Sequence, residues 1–206
     1  MSTICIFGDS IVWGAVDYEG GGWVTRLFIR LGKDFEIDVY NLGVSGDKTL
    51  NILERFEFET KTRIEEGEEA ILIFAIGIND SYFVHSENAF MTPSEEFKTN
   101  IQKLIDRAQK ISAKIIFIGL TPVDESKTTP IPWNTDKSYK NENIKKYNEI
   151  IKSICKEKSI HFIEIFDKWI DFDYQDLLED GLHPNSEGHK KIFETVKDFL
   201  IQNKII

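Results

Sequence analysis

The sequence predicts an α/β fold: a three-layer α/β/α sandwich built on five parallel strands. Three observations lead there. Five short runs are rich in apolar, β-branched and aromatic residues, and the first, third and fourth are apolar on both faces, which is what a strand buried in a parallel sheet requires. Segments with helical apolar spacing lie between them. The β–α alternation also continues along the chain without an internal repeat, low-complexity tract or linker, and successive units of this kind close by right-handed crossovers. The length of 206 residues suits one domain spanning 1–206, with 41% hydrophobic residues to fill its core.

In chain order, Ile4-Cys5-Ile6-Phe7 is the first predicted strand, ended by Gly8. Residues 35–40, rich in β-branched and aromatic side chains, are the second. Residues 70–76 and 115–118, almost wholly apolar, are the third and fourth, and His161 to Ile165 the fifth. Phe97, Ile101, Leu104, Ile105, Ala108 and Ile111 trace one helical face. Its start is predicted at Thr92 as cap, with Pro93 in the first turn and Glu95 completing a capping box. Ile144, Tyr147, Ile151, Ile154 and Cys155 mark another helix, and Ile192, Phe193, Val196, Phe199 and Leu200 the last. The stretch 121–137 (TPVDESKTTPIPWNTDK) holds three of the five prolines and reads as a functional loop.

The formal charge of −10, with no basic stripe, argues against nucleic acid or an anionic membrane surface as partner. No apolar stretch nears the roughly 20 residues needed to span a bilayer. The N-terminus shows no basic region or cleavage site. A soluble, cytoplasmic protein is the expectation, with oligomeric state open. Cys5 and Cys155 fall on apolar faces and read as buried thiols without metal-ligand spacing.

Chemistry is expected at the carboxyl ends of the strands, where open α/β sheets place their sites. The first strand ends in Gly8-Asp9-Ser10, the second leads to Gly43-Val44-Ser45-Gly46-Asp47, and the third ends in Gly77-Ile78-Asn79-Asp80. The segment after the fifth carries Asp180-Gly181-Leu182-His183-Pro184. A serine hydroxyl is inert at neutral pH without a base, and His183 is the candidate base for Ser10. Asp180, three residues earlier, can orient one ring nitrogen and stabilise an imidazolium. That spacing alone is weak, expected by chance in roughly one chain of this length in four. The N–H groups of Ser10 and Gly46 and the amide of Asn79 could receive an oxyanion. Gly8 would let the chain turn sharply, and glycine at 46 would let backbone approach substrate closely.

These four blocks resemble the GDSL, or SGNH, hydrolases: Ser10 in the first, Gly46 in the second, Asn79 in the third, and Asp180 with His183 in the last. Isoleucine at 11 replaces the usual leucine, a conservative departure. A lone Gly-Asp-Ser is expected in roughly one such chain in twenty, but four ordered blocks spanning residues 8 to 184 are a far stronger signal. The resemblance implies a flavodoxin-like sheet in the order 2-1-3-4-5. It also implies hydrolysis of a small-molecule carboxylic ester through an acyl-serine intermediate, with no cofactor. Short acyl chains on a soluble alcohol or sugar are favoured, since no lipid-docking amphipathic stretch stands out. Acyl transfer to an alcohol or sugar would use the same residues. A non-catalytic binding module on the same fold would carry degraded blocks.

Asp9 and Asp80 read as structural carboxylates of their turns. His85, His161 and His189 have no partner at ligand spacing. Trp13 is the most natural of the tryptophans to line an acyl pocket, ahead of Trp23 and Trp133. Gly20-Gly21-Gly22 lacks the preceding strand of a dinucleotide fingerprint.

Overall fold

The structure, a computed structural model, describes residues 2–35, 37–65 and 68–206. Its elements in order are β1 (Ser2–Gly8), α1 (Ser10–Trp13), α2 (Gly22–Phe35), β2 (Asp38–Gly43), α3 (Thr49–Lys61) and β3 (Glu69–Ala75). There follow β4 (Phe83–Val84), β5 (Ala89–Phe90), α4 (Ser94–Ala108), β6 (Lys114–Ile118), α5 (Glu125–Thr128) and β7 (Lys137–Ser138). The chain continues through α6 (Asn141–Glu157), β8 (His161–Ile163), α7 (Phe166–Ile170), a 3₁₀ turn (Tyr174–Leu177) and α8 (Ser186–Gln202). The main sheet is β2-β1-β3-β6-β8, all parallel. Counted along the chain, this is the expected order 2-1-3-4-5.

Period-two alternation explains the three layers. Ile4, Ile6, Ile71, Ile73, Ile116 and Ile118 face one side, packed with Leu27 and Leu31 of α2 and Val196 and Leu200 of α8. Cys5, Phe7, Leu72, Phe74, Ile115 and Phe117 face the other, against α3, α4 and α6. Both faces are apolar, so polarity cannot fix the register; volume does. Phe7 pairs with Phe74, and Phe74 with Phe117, giving a phenylalanine ladder across three strands with centroids 5.6 and 5.1 Å apart. Slipping one strand by a residue would drive these rings into the isoleucine layer. The two thiols are free and buried, and burial pushes each up to about 12.

Three boundaries differ from expectation. Strand β2 runs Asp38–Gly43, not 35–40: Phe35 closes α2, and residue 36 lies outside the described residues. As an edge strand β2 buries only Val39 and Leu42 and leaves Asp38, Tyr40 and Asn41 exposed, so polar Asn41 belongs to it. Strand β8 stops at Ile163, with Ile165 already at the start of α7. Helix α4 begins at Ser94 with Pro93 in the cap position, and no side-chain capping bond forms. Thr92 is drawn away from capping: its N–H donates to the Asp80 carbonyl and its hydroxyl to the Asp80 carboxylate. A small antiparallel sheet, β5-β4-β7, had no counterpart in the sequence reading.

Candidate active site

Ser10 leaves β1 at the carboxyl edge of the sheet and opens α1. Asp9 caps that turn, accepting from Ile11 N at 2.9 Å. Gly8 is required for space. A Cβ there would lie 2.2 Å from Val12 Cγ2 and 2.3 Å from the Ala75 carbonyl, so close packing, and not a sharp turn, selects glycine. On the opposite element the chain folds back between Leu178 and Pro184, and Asp180 orders the reversal. Its Oδ1 accepts from Leu182 N and His183 N at 2.9 and 2.8 Å.

The reversal aims His183 at Ser10 across 173 residues of sequence: Nε2 lies 2.9 Å from Ser10 Oγ, and Nδ1 lies 2.7 Å from Asp180 Oδ2. Burial alone would raise the Asp180 carboxyl. The hydrogen bonds from the His183 ring and backbone and from Leu182 outweigh it and hold the group below its ordinary value. An ionised Asp180 can only accept, so Nδ1 carries the proton and Nε2 is left to accept from the serine hydroxyl.

Gly46 and Asn79 line the same cleft as Ser10 and His183. Gly46 has a φ of 85°, and an added Cβ would meet no protein atom within 4 Å. The left-handed backbone is the protein's own reason for glycine at this position. The Ser10 and Gly46 N–H groups have no acceptor among the described residues. Asn79 is held at both ends of its amide. Tyr139 Oη donates to Oδ1 at 2.9 Å, and Nδ2 donates to the Asp47 carbonyl at 3.1 Å, leaving a second N–H for the cleft. Arg55 ties this network to the sheet. It bonds the Asp47 carboxylate through Nε at 2.9 Å and donates through a terminal nitrogen to the Leu42 carbonyl at 2.8 Å. Neither Tyr139 nor Arg55 carries a motif, and neither was singled out from sequence.

These groups open on a cleft of about 380 Å³, walled by Ser45, Ile131, Trp133, Asn134 and Lys137 of the surrounding loops. The Trp133 ring lies nearly parallel to the His183 ring, centroids 6.4 Å apart. Trp133, ranked behind Trp13 from sequence, is thus the tryptophan that walls the cleft; Trp13 is not among its lining residues and Trp23 is core. The stretch 121–137 does border the cleft, and part of it coils into α5.

The remaining candidates are structural. Burial pushes Asp9 up to about 7, against its bond from Ile11 and the attraction of His183. Burial likewise raises Asp80 to about 6 while it accepts from Thr49 N and Oγ1. His189 is fully buried, accepts from Trp23 N and approaches the Ala15 carbonyl; burial lowers it to about 4, so its imidazole is neutral. His85 contacts Ser138, and His161 packs edge-on against Phe199. The Gly20–Gly22 segment wraps the Asp17 carboxylate, which takes the Gly20 and Gly22 N–H groups and the Arg26 guanidinium. Among the described residues no group of three or more His, Cys, Asp or Glu is arranged to hold a metal ion, and no helix is long and apolar enough to cross a membrane.

Sheet order, layers and rim together place this chain among the α/β enzymes of the esterase and lipase kind. It belongs to the GDSL-like lipase/acylhydrolase family, which it matches over residues 6–191. It is 26% identical over 205 residues to the GDSL esterase/lipase WDL1 of Oryza sativa subsp. japonica, covering 93% of this chain and 74% of that one. It is 25% identical over 203 residues to the isoamyl acetate-hydrolyzing esterase of Saccharomyces cerevisiae, covering 90% and 80%. Among solved structures, the lipase/acylhydrolase from Enterococcus faecalis superposes with a TM-score of 0.77 at 21% identity, covering 97% of this chain and 95% of that one. The acetyl xylan esterase AlAXEase gives 0.75 at 19% identity, with 96% and 99% covered.

Proposed function

We propose that residues 1–206 act as one domain that hydrolyses short-chain carboxylic esters of small alcohols or sugars, with Ser10, His183 and Asp180 as its triad. The observation that carries this reading is the unbroken chain from Ser10 Oγ to His183 Nε2 and from Nδ1 to Asp180 Oδ2, at 2.9 and 2.7 Å. In this mechanism Ser10 Oγ attacks the ester carbonyl carbon and its proton passes to Nε2. The Ser10 and Gly46 N–H groups and the Asn79 amide receive the oxyanion. Collapse breaks the bond to the alkoxy oxygen, which takes the proton from Nε2 and leaves as the alcohol. Water then attacks the acyl-serine, gives a proton to Nε2, and the same steps release the acid and restore Ser10.

Cleft size favours small substrates: about 380 Å³ is at the low end for ligand pockets, which run roughly 300–1,000 Å³. Two similar proteins, an isoamyl acetate-hydrolyzing esterase and an acetyl xylan esterase, point the same way. The test is a panel of nitrophenyl esters from acetyl to palmitoyl. Highest kcat/KM is expected at acetyl to butyryl, and a maximum at the long chains would overturn the short-chain assignment.

The oxyanion donors give a second measurement. Asn79→Ala is expected to lower kcat by roughly 10²–10³-fold with a much smaller change in KM. Tyr139→Phe keeps the amide but frees its carbonyl end, and the loss of one hydrogen bond predicts about a tenfold fall in kcat. A change confined to KM in both variants would mean that Asn79 only holds the bound ester.

A further inference from the structure

Lys137 is the one cationic side chain among the residues that wall the Ser10 cleft. In a chain with 35 acidic and 25 basic residues it forms no salt bridge among the described residues, although the Asp136 carboxyl, held below its ordinary value by its bonds from Ser86, also feels the Lys137 charge. Its sequence neighbour Asp136 directs both carboxylate oxygens at Ser86, each at 2.7 Å. The Lys137 ammonium instead lies 4.6 Å from the Tyr82 ring centroid. Tyr82 meets Tyr139 edge-on at 5.3 Å, and Tyr139 is the residue that holds Asn79. The charge therefore lies against the tyrosine pair that backs Asn79. Its backbone is fixed there: β7 pairs with β4 at Val84, Lys137 N donates to the Asn134 carbonyl, and its own carbonyl accepts from Ile131 N.

An ammonium has three N–H donors, and an aromatic face engages only one side of it. A partly buried cation with donors to spare, in the wall of the cleft that holds Ser10, is a recognition element for negative charge. We infer that Lys137 pairs with an anionic group on the substrate, so that the cleft prefers esters bearing a carboxylate, or another small oxyanion, over neutral esters of the same shape. This rests on the esterase reading above and names the substrate class within it.

The experiment compares 3- and 4-acetoxybenzoate with the corresponding acetoxybenzamides, each kcat/KM divided by the rate of hydrolysis by hydroxide at the same salt. A 4-acetoxyphenyl phosphate arm distinguishes phosphate from carboxylate as the preferred anion. The expected result is an anionic-to-neutral ratio that falls about fivefold in Lys137→Met and recovers in Lys137→Arg. In the wild-type enzyme the ratio should also fall between 0.05 and about 1 M salt, where the screening length drops to about 3 Å. This arm decides the matter even if the methionine variant does not fold. A ratio unchanged in Lys137→Met, or independent of salt in the wild type, overturns the inference. Absence of turnover on every ester, neutral ones included, would instead defeat the esterase reading.

Discussion

Ser10→Ala is expected to lower kcat on a small aryl acetate by roughly 10⁴–10⁶-fold, the range set by removing a nucleophile whose base and orienting group stay in place. A fluorophosphonate should label Ser10 in the wild-type chain and no other serine, as read by peptide mass spectrometry. The competing serines show why. Ser81 is buried and donates to the Ile78 carbonyl, and Ser45 reaches the cleft without an imidazole against it. Ser138 is the serious rival, because His85 Nε2 lies 2.8 Å from its Oγ. Yet Ser138 is buried, and among the described residues no carboxylate is hydrogen-bonded to its histidine. Adduct formation at Ser138 or Ser45, or full activity in Ser10→Ala, would remove Ser10 from the mechanism.

Asp180→Asn should cost roughly 10⁴-fold in kcat, although it changes one atom of the turn. The carboxylate does two jobs with two oxygens. Oδ1 holds the turn through the Leu182 and His183 N–H groups, a task asparagine can continue. Oδ2 takes the proton-bearing Nδ1 of His183, and an amide N–H placed there would turn Nδ1 into an acceptor. The ring proton then moves to Nε2, where it faces Ser10 and blocks acceptance of the hydroxyl proton. Activity separates this from a capping role, since asparagine caps a turn about as well as aspartate. Rates on a soluble ester in both proteins, with circular dichroism to verify folding, measure the loss. Near-normal activity would reduce Asp180 to a turn former.

Legibility in the sequence followed the distance over which each residue acts. The central strands were readable because burial on both faces leaves a purely local, apolar signature, as in Ile71 to Phe74. Residues of the proposed site were readable because each follows a strand and carries its own chemistry. Tyr139 and Arg55 were not, because they work through other side chains: Tyr139 through an amide 60 positions away, Arg55 through Asp47. The misplaced start of α4 has the same origin. Thr92-Pro93 with Glu95 is a sound local signal, but the buried Asp80 carboxylate is a stronger partner for the threonine than a helix end at the surface. Strand β2 was displaced because an edge strand need not be apolar, and the aromatic weight of the sequence lay upstream of it.

The segmental origin of the cleft has a consequence for how such an enzyme diversifies. Its far wall, from Ile131 through Lys137, is one contiguous insert between β6 and α6, whereas the nucleophile, base and oxyanion donors proposed here come from four other places in the chain. Selectivity is thereby modular: the insert can be exchanged, lengthened or recharged while the reacting groups stay where the sheet holds them. Tyr139 marks the boundary of that freedom, since the insert must deliver a hydroxyl to Asn79 as it rejoins the scaffold. A graft of a foreign wall that ends before residue 139 keeps that anchor, and one that runs past it exchanges turnover together with specificity.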